Sequence, residues 1–330
     1  MIKIVQVGLG PIGRQLTRYI LQRKGLKIVE AIDLDNSIAG KDVGEISGVN
    51  NVGVSVETNW KNSKFDSDEA VAVIATVSKL DHIIPQIKDA AIRGLHVVTT
   101  CEELTHPWKT NPRAAQEIDS ICKEMGICCL ATGVNPGFLM DYLPAVLSSV
   151  CRNITFVKIS RIQDASSRRG PFQQKIGAGL TMEEFDMMRE NLGHVGLPES
   201  AWFVAEALRL KPDEITETME PIVASEHLKT DYTQIESGMV AGLKQVAGVR
   251  INGKLMIEHE FVASVGQKNP VDKVIIEGDP GFRSEIPGGV NGDVATAAIV
   301  VNAIPSVLKM QPGLKTMLDV PVPSWYGGLD

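Results

Sequence analysis

The sequence predicts an α/β fold in two parts: an N-terminal doubly wound parallel sheet of the Rossmann type, then an α+β domain with an antiparallel sheet. Three observations carry that prediction. Short apolar runs at Ile2–Val7, Leu26–Ile32, 70–75, 95–99 and 127–130 alternate with amphipathic helical stretches. Such alternation means parallel strands joined by crossover helices. Between the first run and the first helix stands Gly8-Leu9-Gly10-Pro11-Ile12-Gly13, a full G-x-G-x-x-G. Beyond about Met140 the runs lengthen and alternate, and Asn252-Gly253 within one of them is a hairpin signal.

The glycine word is the anchor of the first part. Gly8 allows a tight strand-to-helix turn, Gly10 lets the backbone approach a pyrophosphate, and Gly13 lets helix and strand pack closely. The helix that follows (Leu16, Tyr19, Ile20) presents its N-terminal N–H groups to the phosphates. The second run ends on Asp33, about 20 residues beyond Gly13, where a carboxylate holds both ribose hydroxyls of NAD. Gly8, Gly10, Pro11, Ile12, Gly13 and Asp33 are therefore the expected core of a dinucleotide site. Asp33 favours NAD; a cation nearby, Arg14 or Lys41, would soften that and admit NADP. Residues 36–54 read as a polar, Gly-rich loop beside the adenosine, in which Asp35 is equally a solvated charge or a ribose contact.

The run 70–75 ends in Ala75-Thr76-Val77-Ser78, small residues at a strand's carboxyl end that suit a backbone passing close to a cofactor. A helix with Ile83, Ile84, Ile87, Ala90 and Ala91 inward follows, stopped by Gly94. After the run 95–99 comes Thr100-Cys101-Glu102-Glu103-Leu104, two acids at the edge where a nicotinamide should lie. Glu102, nearest the strand end, is the candidate catalytic acid/base. Glu103 is the runner-up, because acids also favour the first turn of a helix. Cys101 reads as a packing residue, with no activating base in view. A helix over 111–125 and the run 127–130 lead to Thr132-Gly133-Val134-Asn135-Pro136-Gly137-Phe138. The Asn135 amide in this rigid turn meets cofactor or substrate, or simply marks the crossover between domains. Ala75, Thr76, Thr100, Cys101 and Asn135 complete the expected cofactor-binding set.

In the second part 154–161 reads as strand, Thr181-Met182-Glu183-Glu184 has capping-box spacing, and 198–210 reads as helix. Strands are expected at 217–224, 248–265 and 273–277. The segment 161–177 carries four basic residues among small ones, a loop composition suited to covering a site. Arg168 and Arg169 within it are solvated charges or substrate ligands. His194, in a Gly-flanked turn, is by itself more simply structural. Near the end, Asp293 is the expected N-cap of an Ala-rich helix that Pro305 should end or kink.

At 330 residues the chain is long enough for two domains, and 44% hydrophobic with 22% charged residues is the composition of a soluble globular protein. A net charge of −7 and the lack of a basic stripe argue against a nucleic-acid partner. No apolar run is long enough to span a membrane, and the first strand leaves no room for a leader, so a cytoplasmic location is expected. Five cysteines without C-x-x-C read as reduced thiols, and the six histidines show no metal-ligand spacing.

The glycine fingerprint, TTCEEL and TGVNPGF, in this order, resemble the family of 2,4-diaminopentanoate dehydrogenase and the native amine dehydrogenases, itself related to dihydrodipicolinate reductase. The resemblance covers essentially the whole chain. It implies NAD(P)-dependent oxidation of a primary amine to ketone and ammonia; the basic residues clustered at 161–175 favour 2,4-diaminopentanoate, whose carboxylate needs a cation, over a simple alkyl amine. It also implies a cofactor domain at 1–140 completed by about 290–330, and a substrate and dimerisation domain at 141–289. Phe138, Arg168, Arg169, Gln173 and His194 are the substrate contacts it suggests, and a homodimer is the expected assembly. Two other readings stay open: a dihydrodipicolinate reductase-like enzyme, whose His-rich segment is not evident at 150–180, and an NAD-sensing protein without turnover.

Overall fold

The structure, a computed structural model, describes residues 1–60, 64–65 and 69–327. Its contacts divide the chain into two compact units, Met1–Phe138 with Asn291–Asp330, and Leu139–Val290.

The first apolar run forms β1 (Ile2–Val7), buried from Ile4 onward as a strand covered on both faces must be. Pro11 opens α1 (Pro11–Leu21), where its fixed φ and missing N–H are both assets, and Leu16, Thr17 and Ile20 are buried. Next come β2 (Leu26–Ile32), α2 (Val43–Ile46) and β3 (Val56–Glu57). The expected loop at 36–54 thus contains a helical turn. Its organiser is Asp42, whose carboxylate accepts from the backbone N–H of Gly44, Val52, Gly53 and Val54 at 2.8–3.0 Å. Burial alone would raise the pKa of this carboxyl; the four N–H donors outweigh it and hold the group below its ordinary value.

β4 (Ala70–Ile74) is wholly buried, and α3 (Leu80–Ala91) packs Ile83, Ile87 and Ala90 inward. β5 (His96–Thr99) runs into a 3-10 turn at Glu102–Leu104. α4 (Pro107–Thr110), α5 (Pro112–Glu124) and β6 (Cys128–Ala131) complete the first stretch, with Asn111 capping α5 through its side chain.

The second unit begins with α6 (Tyr142–Ser148), β7 (Asn153–Asp164) and α7 (Gly170–Lys175). α8 (Met182–Met188) starts at Thr181, where the capping box forms as its spacing predicts, and α9 (Leu197–Ala207) follows. The remaining strands are β8 (Glu214–Val223), β9 (Leu228–Lys229), β10 (Gln234–Ile235), β11 (Val240–Ile251), β12 (Lys254–Ser264), β13 (Val271–Asp279) and β14 (Phe282–Pro287). β11 and β12 form a hairpin whose two turn residues, Asn252 and Gly253, have φ of 51° and 74°, both positive as a type I′ turn demands.

The large sheet of this unit has the order β14-β13-β7-β12-β11-β8. It is mixed rather than antiparallel, because β7 pairs with β12 in parallel. These two strands are joined through helices and two further sheet strands, not a hairpin, so nothing forces them antiparallel. α9 packs on β11, β12 and β8.

The chain then forms α10 (Gly292–Val307) and β15 (Gly313–Lys315) within the first unit. The N-cap is Asn291, not Asp293: the Asn291 side chain accepts from the N–H groups of Asp293 and Val294, both at 3.1 Å, and Asp293 is already inside the helix. Pro305 sits in the last turn and the helix runs on to Val307. The sheet of this unit has the order β15-β6-β5-β4-β1-β2-β3, every pair parallel. Strand order reverses beside β1, which places a ligand crevice at the carboxyl ends of β1 and β4.

Candidate active site

The turn after β1 shows why its glycines stand where they do. Gly8 has φ +87°, and a Cβ there would lie 2.6 Å from the Ala75 carbonyl oxygen and 2.8 Å from the Thr76 methyl. A Cβ on Gly13 would collide with the Gly8 carbonyl. Gly10 caps α1 without a side-chain bond, and a Cβ there would meet nothing within 4 Å. Gly10 and Pro11 are exposed, Ile12 is half-buried, and the first turn of α1 carries no acid. Its unsatisfied N–H groups and dipole therefore face solvent in a form suited to a pyrophosphate.

Asp33 closes this cradle from the end of β2. One carboxylate oxygen accepts from Leu9 N–H at 2.6 Å and the other from Asp35 N–H at 2.9 Å. Arg14 donates its Nε to the Leu9 carbonyl at 2.7 Å. Asp35 itself is turned into its own loop: the side chain and backbone of Ser37 hold its carboxyl below the ordinary range, with smaller contributions from Arg14 and Lys41.

At the end of β4, Ala75 donates its N–H to Val7 and is half-buried, while Thr76 is exposed and bonds Gln86 at 2.8 Å. At the end of β5, Thr100 is half-buried and its N–H is held by the Ile74 carbonyl at 3.1 Å. Cys101 is fully buried in the core, and burial pushes its thiol up to about 12. Its side chain is a neutral packing group, as the lack of an activating base predicts, and its backbone N–H donates to the Thr99 hydroxyl at 3.2 Å.

The two acids differ. Glu102 is half-buried at the head of the 3-10 turn, its carbonyl accepting from the Thr105 hydroxyl at 2.8 Å. Glu103 turns away from it. Its carboxylate accepts the Leu80 N–H at 2.8 Å, and its own N–H donates to the Ser78 carbonyl at 3.1 Å. Glu103 thus caps α3, whose own N-cap residue, Lys79, makes no side-chain bond.

The turn after β6 holds Asn135 with both atoms of its amide buried and without a partner, next to Thr132, whose hydroxyl is also unsatisfied. Val134 N–H is fixed by the Thr296 hydroxyl of α10 at 3.2 Å, and Phe138 ends the unit half-buried. A buried amide of this kind is costly unless a ligand completes it. Glycine cradle, helix terminus, ribose acid and unsatisfied Asn135 together fit a nicotinamide dinucleotide.

In the second unit one row of side chains crosses the inward face of the sheet: Asp272 on β13, Arg161 on β7, Phe261 on β12 and Gln245 on β11, each opposite the next. Arg161 is 2% exposed, ion-paired to Asp272 at 2.6 Å, and donates to the Val290 carbonyl at 3.0 Å. Burial holds its pKa below the ordinary value against the pull of Asp272. Gln245 clasps the His194 backbone at both ends, and the imidazole lies 5.0 Å from the Phe261 ring. Burial, aided by Lys175 and Arg161, keeps His194 neutral, and its Nε2 has no partner.

Arg168 is buried, not solvated, with its guanidinium 4.0 Å above the Phe172 ring. Arg169 is half-buried and its carbonyl accepts from Phe172 and Gln173 at the start of α7. Gln173 is corrected from substrate contact to scaffold. It is fully buried, donates to the carbonyls of Ala165 and Arg168 at 3.0 Å, and accepts from the Thr230 hydroxyl at 2.8 Å. Its whole amide is spent fixing the loop that carries Arg168.

Sequence reasoning did not single out the buried row of Arg161, Asp272 and Gln245. The signal for Arg161 was there: at period two it shares a face with Val157, Ile159 and Gln163, all inward. Among the described residues no group of three or more His, Cys, Asp or Glu is arranged to hold a metal, and no helix is long and apolar enough to cross a membrane.

Residues 138–328 match the family described as the 2,4-diaminopentanoate dehydrogenase C-terminal domain, and residues 2–106 match the dihydrodipicolinate reductase N-terminus. A 2,4-diaminopentanoate dehydrogenase of Acetoanaerobium sticklandii is 30% identical over 98% of this chain and 94% of that protein. An amine dehydrogenase of Streptomyces virginiae is 25% identical over 100% of this chain and 99% of its own length. Among solved structures, the amine dehydrogenase of Mycobacterium smegmatis superposes with a TM-score of 0.84 at 24% identity, covering 98% of this chain and 97% of that one.

Proposed function

This chain belongs to the 2,4-diaminopentanoate dehydrogenase family, and on that premise we propose that it oxidises a primary amine on a secondary carbon, with a nicotinamide cofactor, to ketone and ammonia. The substrate we assign is 2,4-diaminopentanoate, giving 2-amino-4-oxopentanoate; the reverse reaction is reductive amination. The observation that carries the catalytic part is the division of labour between the two acids. Glu103 is committed to the α3 N-terminus, so the proton chemistry falls to Glu102.

A nicotinamide held at this site would supply the acceptor for the hydride of the amine-bearing carbon. Glu102 performs the rest as a positioned carboxylate. It first takes a proton from the substrate ammonium, so that the nitrogen lone pair can form the C=N bond as hydride leaves. That proton passes to solvent, and the restored negative charge of Glu102 stabilises the cationic iminium. Glu102 then takes a proton from the water that adds to the iminium carbon and returns it to the nitrogen; as the C–N bond breaks and ammonia departs, the carboxylate accepts the proton of the carbinol hydroxyl, leaving the ketone. The Gly8–Gly13 turn and Asp33 would hold the cofactor at pyrophosphate and ribose, and the buried, unsatisfied Asn135 amide would meet cofactor or substrate. NAD is the preferred cofactor in this reading.

Support for a carboxylate-bearing substrate comes from the guanidinium at 168. It is rigid on Phe172, a planar fork matched to both oxygens of a carboxylate. The test is NADH oxidation with ammonia and either 2-amino-4-oxopentanoate or cyclohexanone. Turnover of the amino ketone supports the assignment. Turnover of cyclohexanone alone transfers the chain to the simple-amine activity that the Streptomyces virginiae relative is named for. NADH binding without turnover of either favours a sensor.

A further inference from the structure

We propose that Glu103 is a positioning residue that holds the Glu102 turn and the β4–α3 loop as one rigid edge of the site. This inference rests on the reading of Glu102 as the catalytic carboxylate.

The geometry is a two-point tie across the carboxyl edge of the parallel sheet. One point is backbone: Glu103 N–H to the Ser78 carbonyl at 3.1 Å. The other is side chain: the Glu103 carboxylate to Leu80 N–H at 2.8 Å, across 23 positions of sequence. Each alone leaves a swivel; together they fix the rotation of the 3-10 turn against the loop 75–80. That loop carries Ala75 and Thr76, which close over Gly8. A second consequence is electrostatic. The N-terminus of α3 offers unsatisfied N–H groups and a partial positive charge, and the Glu103 carboxylate neutralises them. Lys79 occupies the N-cap position with extended dihedrals (φ −103°, ψ 143°) yet makes no cap bond; Asp81 lies in the first turn, and Glu103 supplies the side-chain acceptor for the Leu80 N–H.

A 3-10 turn of three residues has little stiffness of its own. Without the side-chain tie the turn keeps the Glu103 N–H to Ser78 bond to the 75–80 loop but loses its second point of attachment. Misplacement of a reacting group by about 1 Å costs on the order of 10²-fold in rate, so the tie matters to turnover more than to folding.

Three variants of the full chain separate positioning from simple capping. Glu103→Gln keeps an oxygen that accepts from Leu80 N–H. Glu103→Ala removes the tie. Glu103→Ala with Lys79→Ser gives α3 a cap of its own but leaves the turn untied. We expect Glu103→Ala to lower kcat by roughly ten- to a hundredfold, with its pH profile unchanged in shape and KM for the amine little altered. Glu103→Gln should recover most of that kcat. The double variant should regain the melting temperature lost by Glu103→Ala without regaining kcat.

Recovery of both melting temperature and kcat in the double variant overturns the proposal, leaving Glu103 as a helix cap. Equal losses in Glu103→Gln and Glu103→Ala overturn it in favour of a charge that takes part in proton transfer. Wild-type kcat in Glu103→Ala overturns it outright. Glu102→Gln, assayed in parallel, reports on the underlying reading separately. If that variant turns over normally, the catalytic assignment of Glu102 fails, and the proposal built on it fails with it.

Discussion

Leu9 N–H and the Asp33 carboxylate are joined by a hydrogen bond of 2.6 Å, so the glycine turn after β1 and the acid at the end of β2 form one rigid piece. With its second oxygen held by Asp35 N–H, this carboxylate cannot swing aside for a 2′-phosphate. kcat/KM for NAD should therefore exceed that for NADP by about 1–3 kcal/mol of discrimination, the scale of an unrelieved buried clash of polar groups. Asp33→Ser should narrow the gap. A wild type that favours NADP, unchanged by the substitution, would remove Asp33 from the ribose.

Glu102→Gln should lose about 10²–10⁴-fold in kcat, the range for a positioned acid/base, while NADH binding measured by fluorescence stays within a factor of about two. Loss of NADH binding on the same scale as kcat would mean that this residue serves the cofactor, not the proton.

Arg168→Ala should weaken use of 2,4-diaminopentanoate by about 1.5–3 kcal/mol, the worth of a hydrogen bond to a charged group. Turnover of cyclohexanone, which has no carboxylate to lose, should be spared. Equal losses on both substrates would make Arg168 a support for the loop through its seat on Phe172.

His259 titrates at about 4 in the folded chain because it is wholly buried, despite the opposing pull of its bond to the Met140 carbonyl at 2.8 Å. The unfolded chain binds this proton at about 6.5. Its contribution to stability is therefore full above that pH, falls as pH drops towards 4, and levels off below, a loss of about 3 kcal/mol. Urea unfolding at pH 7 and 5 should show a smaller loss in His259→Gln than in the wild type. An identical loss would show that another group carries the acid sensitivity.

The outward face of the six-stranded sheet carries Lys158, Lys244, Glu258 and Glu260 in one ion-pair network beside a cavity of about 270 Å³. We expect two copies to meet there as a homodimer, with the charges of each face answering those of the other. Sedimentation at micromolar concentration should give the dimer mass, and Lys244→Glu should shift it towards monomer. A wild-type monomer would refute the arrangement.

The first half of the chain was legible in its sequence because its chemistry is local. β1, the glycine turn and Asp33 lie within 33 residues, and Gly13 answers to a clash with the Gly8 carbonyl inside the same turn. The second half was legible in elements but not in pairing. Alternation located β7 and β12, yet nothing local to either strand states that they run parallel. The same limit hid the buried Asp272–Arg161 pair. Arg161 read as one basic residue of a loop because its partner Asp272 is 111 positions away, and Gln173 read as a ligand because the carbonyls it holds are visible only in three dimensions. For Glu102 and Glu103, sequence supplied the pair and favoured Glu102; the bond from Leu80 N–H to the Glu103 carboxylate is visible only in three dimensions.

The return of α10 and β15 to the first unit has a consequence for synthesis on the ribosome. β15 pairs with β6 at one edge of the seven-stranded sheet, and α10 packs on α1. Until residues 313–315 have been translated, β6 presents an open strand edge, which is a template for pairing with other chains. The intervening unit, Leu139–Val290, has its own sheet and core and is complete before then. The segment translated earlier must therefore wait for the later one, and truncation between Val290 and Gly313 should yield a chain that aggregates through its cofactor-binding half while its other half is folded.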